Sequence, residues 1–158
     1  MPYKPIENYG IIGNMHTAAL VGMDGSIDWL CFPHFDSSSI FAAILDDEKG
    51  GRFKISPTGS GARAKQFYWP DTNVLITRFF APEGIAQVTD YMPAGLSQHE
   101  PGYRCLIRDL RTVRGNLSFD LECHPAFNYA RDKHTTTITT SGACFGAPNL
   151  CLELVTRV

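Results

Sequence analysis

The stretch Thr17-Ala18-Ala19-Leu20-Val21-Gly22-Met23-Asp24-Gly25-Ser26-Ile27-Asp28-Trp29-Leu30-Cys31-Phe32 decides the fold class. Two apolar runs flank an Asp-Gly pair, the strongest short-range signal for a β-hairpin. Gly25 supplies the positive φ of the tight turn, and Pro33 ends the second strand because it has no N–H for a ladder. Residues 73–80 and 85–91 repeat the pattern around Ala81-Pro82-Glu83-Gly84. Residues 103–114 and 117–125 read as a third hairpin about Gly115-Asn116. In its second arm Leu117, Phe119, Leu121 and Cys123 alternate with polar residues, the period of a half-buried strand. The β-branched run 135–140 and the apolar run 150–158 suit strands as well, and 52–56 makes a short one.

One segment reads differently. Asp36-Ser37-Ser38-Ser39 offers helix caps before Ile40-Phe41-Ala42-Ala43-Ile44-Leu45, which predicts one or two helical turns. Many strands at short spacing with a single brief helix predict an all-β protein: an antiparallel β-sandwich with one short helix near residues 38–45. The length of 158 residues suits one domain. The apolar end at Thr156-Arg157-Val158 predicts a continuation beyond it.

Charge narrows the function classes. Fourteen basic and 16 acidic residues are interspersed along the chain, with no basic stripe for nucleic acid. No run approaches the ~18 apolar residues of a membrane span. The start, Met1-Pro2-Tyr3-Lys4-Pro5, has no basic-then-apolar leader pattern, so a cytoplasmic protein is expected. Cys31, Cys105, Cys123, Cys144 and Cys151 include no C-x-x-C pair and read as buried free thiols. His16, His34, His99, His124 and His134 are scattered, and neither a metal site nor a cofactor is expected.

Three carboxylates, Asp24, Asp28 and Asp36, crowd one hairpin and its exit loop. Glycoside hydrolysis needs two carboxyls roughly 5–9.5 Å apart. Asp24 is already the expected turn residue, however, and Asp36 a plausible cap. No nucleophile elbow, P-loop or dinucleotide fingerprint occurs. The remaining candidates are aromatic, because sugar rings stack on exposed aromatic faces. Trp29, inside an apolar strand, reads as core. Trp69, ahead of Pro70-Asp71 in a loop, reads as either core or exposed platform.

Three motifs then resemble a known family. The first runs from Ile6-Glu7-Asn8-Tyr9-Gly10-Ile11-Ile12-Gly13-Asn14 through Asp24-Gly25-Ser26-Ile27-Asp28-Trp29-Leu30-Cys31 to Phe35-Asp36-Ser37. The second is Asp71-Thr72-Asn73-Val74-Leu75 with Thr77-Arg78-Phe79, continuing to Val88-Thr89-Asp90-Tyr91-Met92-Pro93. The third is Pro125-Ala126-Phe127-Asn128-Tyr129-Ala130-Arg131, with Asn128 where the pattern has Asp and Ala130 where it has Gly. Together they resemble the N-terminal domain of bacterial glycoside hydrolase family 15 proteins, the glucoamylase- and trehalase-like group.

The resemblance implies a supersandwich-like β-domain ahead of an (α/α)6 barrel that carries the catalytic glutamates, so no catalytic residue is carried over to this chain. It implies the chain's own C-terminal barrel as partner, and trehalose or an α-glucan as substrate of the intact protein. The expected role is packing on that barrel, with the loop 33–39 reaching toward the active-site mouth. Trp29, Phe35, Asp36, Ser37 and Trp69 are the substrate-adjacent candidates. A stand-alone carbohydrate-binding module and a protein-interaction module are the rival readings. An unpaired sheet edge predicts self-association at high concentration.

Overall fold

The computed structural model describes residues 3–94 and 104–157, so His99 and the first residue of the predicted 103–114 strand lie outside it. In chain order the strands are β1 (Tyr9–Gly13), β2 (Ala18–Gly22), β3 (Ser26–Cys31), β4 (Ser39–Phe41), β5 (Arg52–Pro57), β6 (Arg63–Tyr68) and β7 (Leu75–Ala81). They continue as β8 (Gly84–Tyr91), β9 (Ile107–Gly115), β10 (Phe119–His124), β11 (Thr135–Thr139), β12 (Gly142–Ala147) and β13 (Leu150–Val155). One sheet has the order β1-β2-β3-β5-β10 with β4 also on β3, a second is β6-β7-β8-β9, and a third is β11-β12-β13. Every pairing is antiparallel. The all-β sandwich is the observed class.

The first hairpin forms as read. Gly25 has φ 82°, and its N–H donates to the Gly22 carbonyl at 2.9 Å. A Cβ there would lie 2.0 Å from the Ile55 carbonyl oxygen, so glycine is needed for close approach as well as for conformation. Register then departs from simple alternation: Leu20 pairs Trp29, but Val21 pairs Ile27, leaving Asp28 as an extra residue on β3. This bulge turns Ile27 and Leu30 both into the core and leaves Trp29 only half-buried. The core reading of Trp29 is corrected on that ground.

Between the two larger sheets, Ile12, Val21, Ile27 and Leu30 meet Leu75, Phe79 and Val88 in one cluster. Phe145 and Ala143 of β12 extend it into the third sheet. β1 reaches β7 closely because Gly10 is bare; a Cβ there would lie 2.5 Å from Leu75. Opposite Asp90 on β8 stands Arg108 on β9. Arg108 Nε donates to Asp90 Oδ1 at 2.8 Å and Nη2 to Oδ2 at 3.1 Å. The same guanidinium crosses to the other sheet, donating to the Phe53 carbonyl at 2.9 Å and the Gly25 carbonyl at 2.8 Å. Both side chains are almost wholly buried.

Three further expectations fail. The segment 38–45 is not a helix: Ser39–Phe41 is strand β4, and the only turn there closes on the Ala42 carbonyl, which accepts from Leu45 and Asp46 N–H groups. All three β4 residues are buried, whereas a surface helix would have turned one face to water. Asp36 therefore caps nothing. Helical turns among the described residues lie instead at Ile6–Asn8, a 3-10 turn, and at α1 (Phe127–Ala130). Nor do β9 and β10 form a hairpin, since β9 pairs β8 and β10 pairs β5, and the Gly115-Asn116 link carries the chain from one sheet to the other. The sequence reading also passed over β1, β6 and β12. Of the cysteines only Cys31 is fully buried; Cys151 is exposed, so the buried-thiol reading fails there.

Replacing Arg108 by Leu leaves Asp90 charged and unpaired in the core and two carbonyls without their donor. We expect a loss of about 3–5 kcal/mol in urea unfolding. A loss under about 1 kcal/mol would show that the pair does not tie the sheets.

Candidate functional site

Three connections converge on one cleft of about 380 Å³. The loop after β3, which opens with a cis Phe32–Pro33 peptide, brings Asp36, Ser37 and Ser38. The α1 turn and its exit bring Asn128 and Asp132, and the β12–β13 turn brings Asn149. The carboxylates accept, and the amides and hydroxyls both donate and accept, so together they match the two roles of sugar hydroxyls.

The wall at α1 has an unusual backbone. Asn128, Tyr129 and Ala130 have φ of 52°, 56° and 63°, three consecutive non-glycine residues in the left-handed region. Surrounding contacts hold them there. Tyr129 N–H donates to Ser39 Oγ at 3.2 Å, and Ala126 N–H donates to the Ile40 carbonyl at 2.8 Å, docking the turn on β4. Phe127 is buried, its ring 5.3 Å from that of His134. Asn128 Nδ2 donates to Asp132 Oδ1 at 3.1 Å across the cleft wall. Strain of this kind persists only where neighbours over-determine it.

Of the sequence candidates, Phe35, Asp36 and Ser37 come together in the loop. Phe35 is 62% exposed on this loop without lining the cleft, and its N–H donates to the His16 carbonyl at 2.9 Å. The His16 and His34 rings meet edge-on at 5.9 Å. Ser37 Oγ accepts from His34 N–H at 3.1 Å, which leaves its hydroxyl proton for the cleft. Trp29 stands behind the cleft, its ring 6.3 Å from that of Tyr129, and does not line it. Trp69 is 59% exposed in the β6–β7 turn and belongs to another part of the surface. Next to it, the Tyr68 hydroxyl pins β1, donating to the Ile11 carbonyl at 2.9 Å and accepting from Ile11 N–H at 2.8 Å. Asp132 and Asn149 were not singled out from sequence. Asn149 had a turn signal in Pro148-Asn149, but nothing in the sequence tells which loops meet.

Asp24 and Asp28 are engaged elsewhere. Lys4 Nζ donates to Asp24 Oδ1 at 2.8 Å and to Asp28 Oδ2 at 2.6 Å, and the Tyr9 hydroxyl donates to Asp28 Oδ2 at 2.8 Å. Burial works to raise the Asp24 pKa, but the Lys4 ammonium and the Ser26 hydroxyl outweigh it and hold the carboxyl at about 2. Burial, with the Asp28 hydrogen bond, pushes Tyr9 well above the usual phenol range. These carboxylates fasten the N-terminal segment to the hairpin rather than face Asp36. Among the described residues no three His, Cys, Asp or Glu side chains are placed to share a metal ion, and no helix is long and apolar enough to cross a membrane.

Comparison with known proteins agrees with the sequence motifs. Residues 2–146 match the family described as trehalase-like, N-terminal. The chain belongs to that family. It is 37% identical over 133 residues to a trehalase of Thermoplasma volcanium, covering 83% of this chain and 21% of that protein. With a trehalase of Mycolicibacterium smegmatis the identity is 32% over 160 residues, covering 92% and 23%. With trehalase 1 of Sulfolobus acidocaldarius it is 36% over 157 residues, covering 98% and 25%. The chain thus spans about a fifth to a quarter of the length of these relatives. No solved structure gives a significant match.

For this trehalase-like domain the geometry explains one departure in the third motif and shows the cost of the other. Glycine at 130 would adopt φ 63° freely, while Ala130 carries a Cβ penalty of about 1–2 kcal/mol. Asn128 tolerates the left-handed region and donates to Asp132, where a second carboxylate would repel it.

Two outcomes follow from this geometry. Ala130→Gly, relieving the backbone against the larger chain entropy of glycine, should raise stability by about 1 kcal/mol in urea unfolding; a decrease would show that the turn is not strained there. The depressed Asp24 pKa contributes stability that is present above the ordinary carboxylate value and lost as pH falls toward about 2. Unfolding measured from pH 5 down to about pH 2 should therefore decline less steeply in Asp24→Asn than in the parent, and identical slopes would refute the Lys4 pairing.

Proposed function

We propose that residues 1–158 form the non-catalytic N-terminal domain of a trehalose-cleaving glycoside hydrolase of family 15 type. In this reading the domain packs on its own C-terminal (α/α)6 barrel and presents the loop 33–39 at the mouth of the active site. The observation that carries it is the cleft itself: Asp36 and Ser37 of the loop after β3 line it together with Asn128 and Asp132, and Phe35, next to Asp36 in the chain, is exposed on the same loop. An aromatic face for the apolar side of a sugar ring, next to groups that bond hydroxyls, is the chemistry of saccharide contact. Trehalose is favoured over other α-glucosides because the relatives are trehalases by name. Packing on a larger body is supported by the open sandwich edge. Leu110 on β9 pairs the buried Val88, and Leu121 on β10 pairs Ile55, so both face inward, yet they are 40% and 46% exposed.

The test compares the whole protein with residues 1–158 alone in an assay of glucose released from trehalose. The whole protein should be active and the isolated domain inactive; hydrolysis by the domain alone would end the non-catalytic reading. In the whole protein, Phe35→Ala and Asp36→Ala should each raise KM about fivefold, the equivalent of about 1 kcal/mol, and alter kcat by less than about twofold. Unchanged KM in both would remove the loop from the active-site mouth.

A further inference from the structure

The hairpin that supplies Asn149 to the cleft carries two cysteines whose positions suit more than packing. Cys144 lies on β12 and Cys151 on β13, seven positions apart in sequence. In the register Cys144 pairs Glu153 and Cys151 pairs Gly146, so the two cysteines are diagonal neighbours on one face of the hairpin. That face is the outer one. Ala143 and Phe145, between them in the alternation, point into the core. Gly146, opposite Cys151, has no side chain to crowd it, and the Cys151 thiol leans across. The two Sγ atoms are 3.0 Å apart, inside ordinary van der Waals separation for packed atoms. A disulfide needs about 2.05 Å, so closing the bond requires the sulfurs to approach by about 1 Å.

We propose that Cys144 and Cys151 form a reversible cross-strand disulfide that clasps the β12–β13 hairpin, the wall of the cleft at Ala147, Asn149 and Leu150. The oxidant is a small-molecule disulfide such as oxidised glutathione. Exposed Cys151, as thiolate, attacks one sulfur of the small disulfide, forming a mixed disulfide and releasing one small thiolate. Cys144 then gives up its proton and attacks Cys151 Sγ; the protein disulfide forms and the second small thiolate leaves. Two protein thiols are oxidised, one small disulfide is reduced to two thiols, and the protons lost by the cysteines end on those products. Burial pushes the Cys123 thiol up to about 12, which makes it a poor nucleophile. Cys144 is itself raised, first by its hydrogen bond with Cys151, so it is the 3.0 Å approach of the two sulfurs that selects this pair.

The experiment treats the folded chain with oxidised glutathione, unfolds it, blocks remaining thiols with iodoacetamide and maps the peptides by mass spectrometry. The expected result is a peptide linked through Cys144 and Cys151, lighter by two hydrogens than its thiol form and returned to that form by dithiothreitol. Cys144→Ser, which keeps the exposed thiol and removes the one that resolves it, should accumulate glutathione on Cys151. Overturning results are both cysteines alkylated in the parent, or glutathione left stably on Cys151 while Cys144 is present. Backbone hydrogen exchange over residues 145–150 should slow at least twofold in the bridged form; equal rates in the two forms would reject the clasp.

Discussion

The ion pair between Asp90 and Arg108 is the contact on which the arrangement of the sandwich depends. A carboxylate and a guanidinium withdrawn from water carry a large desolvation cost, offset only when nearly every donor and acceptor is engaged. Here two bonds go to the carboxylate and two to carbonyls of the opposite sheet, at Phe53 and Gly25. A hydrophobic pair of similar volume could fill the space, but it would not specify which carbonyls face it. The pair's contribution is registration of β8 and β9 against the Gly25 turn and β5. Because the turn at Gly25 sets where β3 exits, the path into the loop 33–39 inherits that registration.

The cleft is built from connections rather than from strand faces. The loop after β3, the left-handed turn at 128–130 and the β12–β13 turn belong to three different parts of the chain. Ser39 joins two of them, as a β4 residue and as the acceptor for Tyr129 N–H. That anchor explains why Ser39–Phe41 extends as a strand. Its backbone is spent on pairing β3 and on docking α1, with Ile40 accepting from Ala126. Helix propensity and potential caps are local preferences of a fraction of a kcal/mol to about 1 kcal/mol each, and burial of Ser39, Ile40 and Phe41 outweighs them.

Much of the fold was legible in the residues. The Asp24-Gly25 and Pro82-Glu83-Gly84 turns, the β5 strand and the β-branched run before β12 all stand where patterning put them. What escaped were relations with no local trace. The Asp28 bulge cannot be seen in an alternation that looks regular, yet it moves Trp29 out of the core. The Gly115-Asn116 link has hairpin chemistry but leads between sheets, since the bonding edges of β8 and β5 lie on different layers. At the site, Asp36 and Ser37 were legible as part of a dense motif, whereas Asp132 and Asn149 were not, because each is ordinary in its own loop.

The sequence by itself determined the all-β class, the positions of the tight turns and the family, because turn chemistry, period-two patterning and motif order are local properties written residue by residue. Tertiary structure alone decided the sheet to which each strand belongs, the left-handed backbone at 128–130 and the meeting of Cys144 with Cys151. Those depend on contacts between residues distant in the chain or across a register. Their energies exceed the local preferences of the segments that make them.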